Sequence, residues 1–473
     1  MKKVLAVLAF MLFSVSPVFA LDIINFNTNI DLSAIREAAA NINVPLPSQL
    51  QDDNSARTNF ATPVQLKEWT VMVFMNGSGN LADWGMEDIR KMGTIGTTDK
   101  VNVVVETGLK MGDKSLVQRI LLLPGEGKTI NSVVYKTWNN RDMGNWRNAA
   151  DFIKWAKVNF PAKRFLYIMQ AHGGGFIDNT YNSKMSGKSI SDDDLTHNYI
   201  KVPEMPILFK EAGYVDMFIM AACKMQTAEV NYEIGENVGV IIGSEESDQA
   251  FLFQSKERLG YLNANPQAST EQIATAFIEM RKRILTPGNE IYIEVDKSTV
   301  TVDTHLVNTL SAVRTSELKN LPSALDSWVN TLMAENEPDA ILFAITTTVR
   351  FGVNKPSDQA WSQITDLGNF AVRVMYASKK QKVKDETMKL LTFLNQLIIA
   401  NGSVNINYSG IDYSKELQGI SIKMIPLTSV NQSILFPDCD VVVDTKYDDL
   451  MLSKNSQWNE FLNWAGKIYY QPR

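Results

Sequence analysis

The chain has 473 residues, 45% apolar and 21% charged, with 26 Gly, 16 Pro, two Cys and a net charge of −6. That apolar share excludes a disordered chain, the Gly and Pro counts exclude collagen-like or low-complexity sequence, and the charge argues against a nucleic-acid binder working through a broad basic field. Two Cys cannot staple a scaffold of this length, so the fold rests on buried apolar area, in two to three domains of roughly 150 residues each or in one large core with an appended piece.

The N-terminus reads as a secretory signal. Lys2 and Lys3 give the charged start, Val4–Val15 an apolar run too short for a bilayer, and Ser16–Ala20 a small-residue cleavage site. Removing residues 1–20 takes away two Lys and no acid, moving the charge from −6 to −8. No Cys follows Ala20 as a lipid acceptor, and no later apolar run approaches the ~20 residues of a membrane span. The expectation is an exported protein, periplasmic or extracellular, with no membrane span. Residues 21–65 are polar and turn-rich, with Pro45, Pro47 and Pro63, and read as a pro-segment or tether in which Leu32–Ile42 suits a short helix.

From Trp69 the register changes. Apolar runs predict strands at Thr70–Met75, Val101–Glu106, Leu116–Leu123, Arg164–Ala171, Val215–Ala222 and Val238–Gly243, several of them apolar throughout and so covered on both faces. Helical patterns lie between them at Asp83–Met92, Asn148–Asn159 and Met225–Gly235. This alternation predicts an α/β domain over 66–265, a mainly parallel sheet sandwiched by helices. Beyond it, Thr270–Ile284, Leu306–Glu335, Ser362–Ser378 and Lys382–Asn401 read as helices, followed by a short strand at Gly419–Ile425 and a last helix around Trp458–Trp464. Residues 266–473 are therefore expected to be mostly helical.

The chain has three His, at 172, 197 and 305. His172 alone stands at the carboxyl end of a predicted buried strand, where ligands bind in open α/β sheets, and Gly173, Gly174 and Gly175 after it let backbone N–H groups approach a substrate. Cys223 ends the next such strand, with a helical pattern directly behind it. A helix N-terminus lowers a thiol pKa, and a neighbouring imidazole would lower it further and supply a general acid. Singly, a buried thiol and a strand-end His are ordinary structural residues. Their pairing at equivalent strand ends, 51 residues apart, points to nucleophilic catalysis.

His172-Gly173, a spacer, then Ala222-Cys223 at a strand end resembles the clan CD, caspase-like cysteine peptidases, and the surroundings are similar to the clostripain family in particular. The similarity extends over Trp69–Met75, Asn80-Leu81, Phe160–Phe165, Asp193–Thr196, Cys223–Met225, Glu229–Glu233, Ser244–Glu246, Gly419–Ile422, Trp458 and Phe461-Leu462. It implies a caspase-like three-layer α/β/α sandwich and a secreted cysteine endopeptidase acting on polypeptides. By position it makes Cys223 the nucleophile and His172 the general acid, with the N–H groups of Gly173 and Cys223 as oxyanion hole. Relatives cleave after Arg or Lys and carry Asp-Ala-Cys, the Asp attracting the basic side chain. Here Ala221 stands in its place, and Asp248–Phe253 replaces the Pro and Gly-Trp of relatives. The remaining candidates for the missing charge are Glu245, Glu246 and Asp248, each equally readable as a loop residue.

In some relatives the loop equivalent to Asn179–Ser191 is cut by the enzyme itself during activation, which makes Lys184 and Lys188 the processing candidates, and the stretch reads equally as a plain surface loop. Some relatives need Ca²⁺; Asp192, Asp193 and Asp194 suit it in charge but lack EF-hand spacing, and read first as an N-terminal helix cap. No other cofactor is expected. His197 and His305 read as surface residues near helix starts, and Cys439, between Asp438 and Asp440, as a poor nucleophile whose pairing with Cys223 would silence the thiol. Two rival functions remain. An esterase needs a Gly-x-Ser-x-Gly elbow, whose first glycine is absent from Asn76-Gly77-Ser78-Gly79. A catalytically silent binding relative is favoured by Ala221 and opposed by the intact His172 and Cys223.

Overall fold

The computed structural model describes residues 66–470 apart from 128, 178–188, 249–253, 286–290, 296–297, 303–306, 353–359, 361, 408–409 and 429–446. The signal, the pro-segment, Lys184, Lys188, His305 and Cys439 lie outside the described residues.

Nine strands form one sheet: β1 (Lys67–Gly77), β2 (Val101–Met111), β3 (Lys114–Leu122), β4 (Ser132–Asn139), β5 (Ala162–Gln170), β8 (Val215–Ala221), β9 (Val238–Ser244), β12 (Leu310–Arg314) and β14 (Ile398–Asn401). Small two-stranded sheets pair β6 (Ile190–Asp193) with β7 (Asn198–Ile200), β10 (Ile291–Val295) with β11 (Ser298–Val302), and β13 (Ile364–Asp366) with β15 (Ser421–Lys423). The large sheet runs β14-β12-β9-β8-β5-β1-β2-β3-β4. Its central five strands, β9 to β2, are parallel, and both edges are antiparallel.

The continuous apolar runs are explained by cover on both faces. Along β1, Trp69, Val71, Val73 and Met75 join one core, while Met72 and Phe74 join the other. Each such side chain contributes about 1.5–3 kcal/mol over an exposed one, which drives helices onto both sides. On the first face lie α1 (Ala82–Met92), α5 (Ser255–Ala264) and α6 (Thr270–Leu285). On the second lie α2 (Trp146–Asn159), α3 (Met205–Ala212) and α4 (Ala228–Ile234). They are joined there by α7 (Leu321–Glu335), α8 (Pro338–Thr347), α9 (Leu367–Ala377), α10 (Gln381–Leu397) and the closing helix Trp458–Tyr470. The result is a three-layer α/β/α sandwich.

Three segments expected to be helical depart from that expectation. Leu306–Glu335 and Lys382–Asn401 contain the strands Leu310–Arg314 and Ile398–Asn401, which extend the main sheet beyond β9, and Ser362–Ser378 opens with Ile364–Asp366, a strand paired with Ser421–Lys423. The sheet thus continues past residue 265. β4, a partly exposed edge strand, is an element absent from the expected set.

The chain leaves β1 for α1 on one face and enters β5 from α2 on the other. The crossover direction therefore reverses between these two neighbouring strands, opening a crevice at their carboxyl ends.

Candidate active site

Gln170 of β5 and Ala221 of β8 are register partners, and the Ala171 N–H still donates to the Ala221 carbonyl at 3.2 Å. Both chains then turn away, delivering His172 and Cys223 from adjacent strand ends. The glycines after His172 serve close approach. A Cβ on Gly173 would stand 2.6 Å from the Cys223 carbonyl oxygen, and one on Gly175, at φ +70°, 2.7 Å from that of Lys224. The Gly174 N–H is spent on the Ser189 carbonyl at 3.0 Å. Among the described residues no hydrogen bond engages the N–H of Gly173 or Cys223.

Cys223 sits at a tight bend rather than at a helix start. Lys224 has φ +60°, and Thr227, four residues after the sulfur, caps α4 by accepting from the Val230 N–H. The bend is held against β9 by Lys224 N–H to the Glu246 carbonyl and Gln226 N–H to the Ser244 carbonyl, both 3.0 Å. The thiol is free, 8% exposed, and donates to the Asp248 carbonyl at 3.6 Å. Burial pushes its pKa up, Lys224 opposes this, and the Asp248 and Glu246 carboxylates add to it. The expected lowering by a helix dipole is therefore corrected: the sulfur lies outside the first turn of α4, where that field acts. Cys223 alkylation by iodoacetamide is expected to be slow at pH 7 and to climb only above the ordinary thiol range of roughly 8.5. Mass spectrometry of protein alkylated across pH 6–10 checks this, and a half-maximal rate below pH 8 would contradict it.

The His172 ring spans the crevice. Its Nε2 lies 2.7 Å from Asn80 Oδ1, just past β1, a distance at which an N–H there donates to the amide oxygen. Asn80 was visible in the sequence only as part of an Asn-Leu pair. Its approach to a residue 92 positions away comes from the β1–β5 pairing.

The three carboxylates considered for substrate charge have other partners. Glu245 is fully buried, and burial together with the neighbouring Asp366 carboxylate pushes its carboxyl well above the usual range. Glu246 accepts from the Ser247 and Gly352 N–H groups at 2.8 and 3.0 Å. Asp248 pairs with Arg281 at 2.7 Å, both buried. None is presented as a free acid. Ala221 is buried on the face shared with α1, α5 and α6.

Asp192, Asp193 and Asp194 cap no helix, because the segment forms the β6–β7 hairpin. Asp193 accepts from the N–H groups of Met143, Leu195 and Thr196, and Asp194 pairs with Lys110 at 3.3 Å. Among the described residues no group of three or more His, Cys, Asp and Glu is placed to hold a metal ion. His197 is exposed in the hairpin turn, not at a helix start. Ser78 is buried and donates to the Asp192 carbonyl at 3.2 Å, a structural role ill suited to an esterase nucleophile.

With this geometry in place, a sequence model described as the clostripain family matches residues 73–464. The chain belongs to the clostripain family. It is a cysteine endopeptidase of that family. Among solved structures it is similar to a secreted C11 cysteine protease from Bacteroides thetaiotaomicron in complex with an irreversible peptide inhibitor, at 16% identity and TM-score 0.58, covering 84% of this chain and 99% of that one. It is also similar to an inactive zymogen C11 protease from Parabacteroides distasonis, at 16% identity and TM-score 0.57, covering 83% and 98%. No curated protein matches the chain. At these identities the structural likeness is one of fold, and the caspase-like sandwich is common to all three. Among the described residues no helix is long and apolar enough to cross a membrane.

Proposed function

We propose that this clostripain-family peptidase is exported by residues 1–20 and cleaves polypeptides through Cys223 and His172. The reading is supported by the junction of β5 and β8, where Gly173 packs on the Cys223 backbone and His172 follows the neighbouring strand end, its ring hydrogen-bonded to Asn80. Because burial keeps the thiol protonated, His172 acts first as base. Nδ1 takes the thiol proton as sulfur attacks the scissile carbonyl carbon, and the resulting oxyanion accepts from the Gly173 and Cys223 N–H groups. The C–N bond then breaks, and the departing amine takes the proton back from the imidazolium. Water attacks the thioester carbonyl, giving its proton to Nδ1, and expulsion of sulfur restores the thiol.

Asn80 is a positioning residue, holding the ring so that Nδ1 keeps its lone pair. Asn80→Ala is expected to lower kcat by about 10- to 100-fold with little change in KM and to alter the pH–rate profile. Steady-state kinetics over pH 5–9 would show it, and an unchanged profile with full kcat would remove Asn80 from the mechanism.

The burial of Cys223 favours a second reading, a silent scaffold that binds polypeptide without cutting it. Incubation of the full chain with an unstructured protein, with and without prior alkylation, separates the two. New peptide termini that vanish after alkylation support the peptidase, and intact substrate in both arms supports the scaffold.

A further inference from the structure

Cys223 is followed at once by a cation whose placement neither the fold nor the dyad explains. Lys224 stands at φ +60°, a left-handed conformation that costs any residue with a Cβ, and its N–H donates to the Glu246 carbonyl at 3.0 Å. Its side chain then lies along Gly352. A Cβ on that glycine would stand 3.0 Å from Lys224 Nζ and 3.2 Å from its Cδ and Cε. The Gly352 N–H in turn donates to Glu246 Oε1 at 3.0 Å. Glu246 and Gly352 thus fix the two ends of Lys224, backbone and ammonium, at the turn that carries the sulfur.

The carboxylates at this turn oppose a thiolate. The titratable groups that neighbouring elements bring here are Glu246 and Asp248 after β9 and His172 after β5. The Asp248 carboxylate is paired with Arg281 at 2.7 Å, whereas Glu246 accepts from the Ser247 and Gly352 N–H groups. Among the described residues neither Glu246 nor Lys224 forms an ion pair. After burial, Lys224 has the largest influence on the thiol, and it acts against both carboxylates. A negative charge forming on a buried sulfur is costly unless a cation stands near it.

We propose that Lys224 is a positioning residue of the peptidase reaction, its ammonium, seated against Gly352, compensating the negative charge that gathers on sulfur as the thiol passes its proton to His172. The inference rests on the peptidase reading above and adds a third side chain to it. Lys224→Met separates charge from packing, because Met keeps most of the stem and loses the ammonium. Lys, Met and Arg all carry a Cβ, so the backbone at φ +60° is equally strained in each.

The test alkylates Cys223 of the full chain with iodoacetamide across pH 6–10 and, separately, follows cleavage of an unstructured protein over the same range. Lys224→Met should slow alkylation about 10-fold at every pH below the midpoint, equivalent to an upward shift of about one pH unit, and move the acid limb of kcat/KM by the same amount. Lys224→Arg should stay within about threefold of the unmodified chain in both measurements. Superimposable curves for the unmodified chain and Lys224→Met overturn the proposal. So does a loss that Lys224→Arg shares with Lys224→Met, because it would mark a packing role rather than one of charge. Absence of cleavage by the unmodified chain, whatever the alkylation curves show, would instead refute the peptidase reading on which the proposal stands.

Discussion

Cys223→Ala is expected to lower the rate of peptide cleavage by at least ~10⁴-fold while leaving the fold in place, because it deletes the nucleophile and little else. The lost packing is small: one buried sulfur, whose hydrogen bond to the Asp248 carbonyl is long at 3.6 Å. The change in unfolding free energy should stay within about 1 kcal/mol. Digests of an unstructured protein followed by mass spectrometry measure the first effect, and urea unfolding the second. Cleavage persisting at the original rate in a purified, folded variant would place the chemistry elsewhere and end the thiol mechanism. A scaffold that only binds polypeptide would show no cleavage in either form.

Arg281→Met should be the most damaging single change for stability. Arg281 and Asp248 are 1% and 2% exposed, and the guanidinium also donates to Gln254 and Asn308 at 3.0 and 3.2 Å. Removing it leaves the Asp248 carboxylate buried without its counter-charge, a loss of roughly 3–5 kcal/mol. Adding Asp248→Asn should recover part of that loss, because the stranded charge rather than the missing contact dominates. Urea unfolding of the two single variants and the double variant gives the coupling. Additive losses would show the pair to be energetically independent despite its geometry. Activity should fall with stability, since the Asp248 carbonyl is the group against which the sulfur rests.

Much of the architecture was legible because burial leaves a periodic trace. The central strands are apolar on both faces, and all six expected runs coincide with strands of the structure, although β2 runs on to Met111 where the expected run ends at Glu106. β12 and β14 were hidden because short apolar runs such as Leu310–Val313 and Ile398–Ala400 adjoin strong helical patterns, and periodicity does not separate a buried strand from a helix over four or five residues. Their assignment is made by the free edge of β9, which offers them a ladder. The Cys223 helix-dipole expectation failed for a local reason: the positive φ of Lys224 and the pairing with Ser244–Glu246 delay α4 until Ala228.

The chain order of residues alone determined the layered α/β fold, the two chemically capable side chains at strand ends, and membership of the clostripain family, because each depends on residue type and spacing. Charge partnership was decided only in three dimensions. Glu245, Glu246 and Asp248 are alike in one dimension, yet the fold buries the first beside the Asp366 carboxylate, ties the second to backbone N–H groups and pairs the third with Arg281. The same holds for Asn80 with His172 and for Lys224 with Gly352. An electrostatic or hydrogen-bonding role requires two groups within a few ångströms, and that distance is set by which strands pair, which no single stretch of sequence contains.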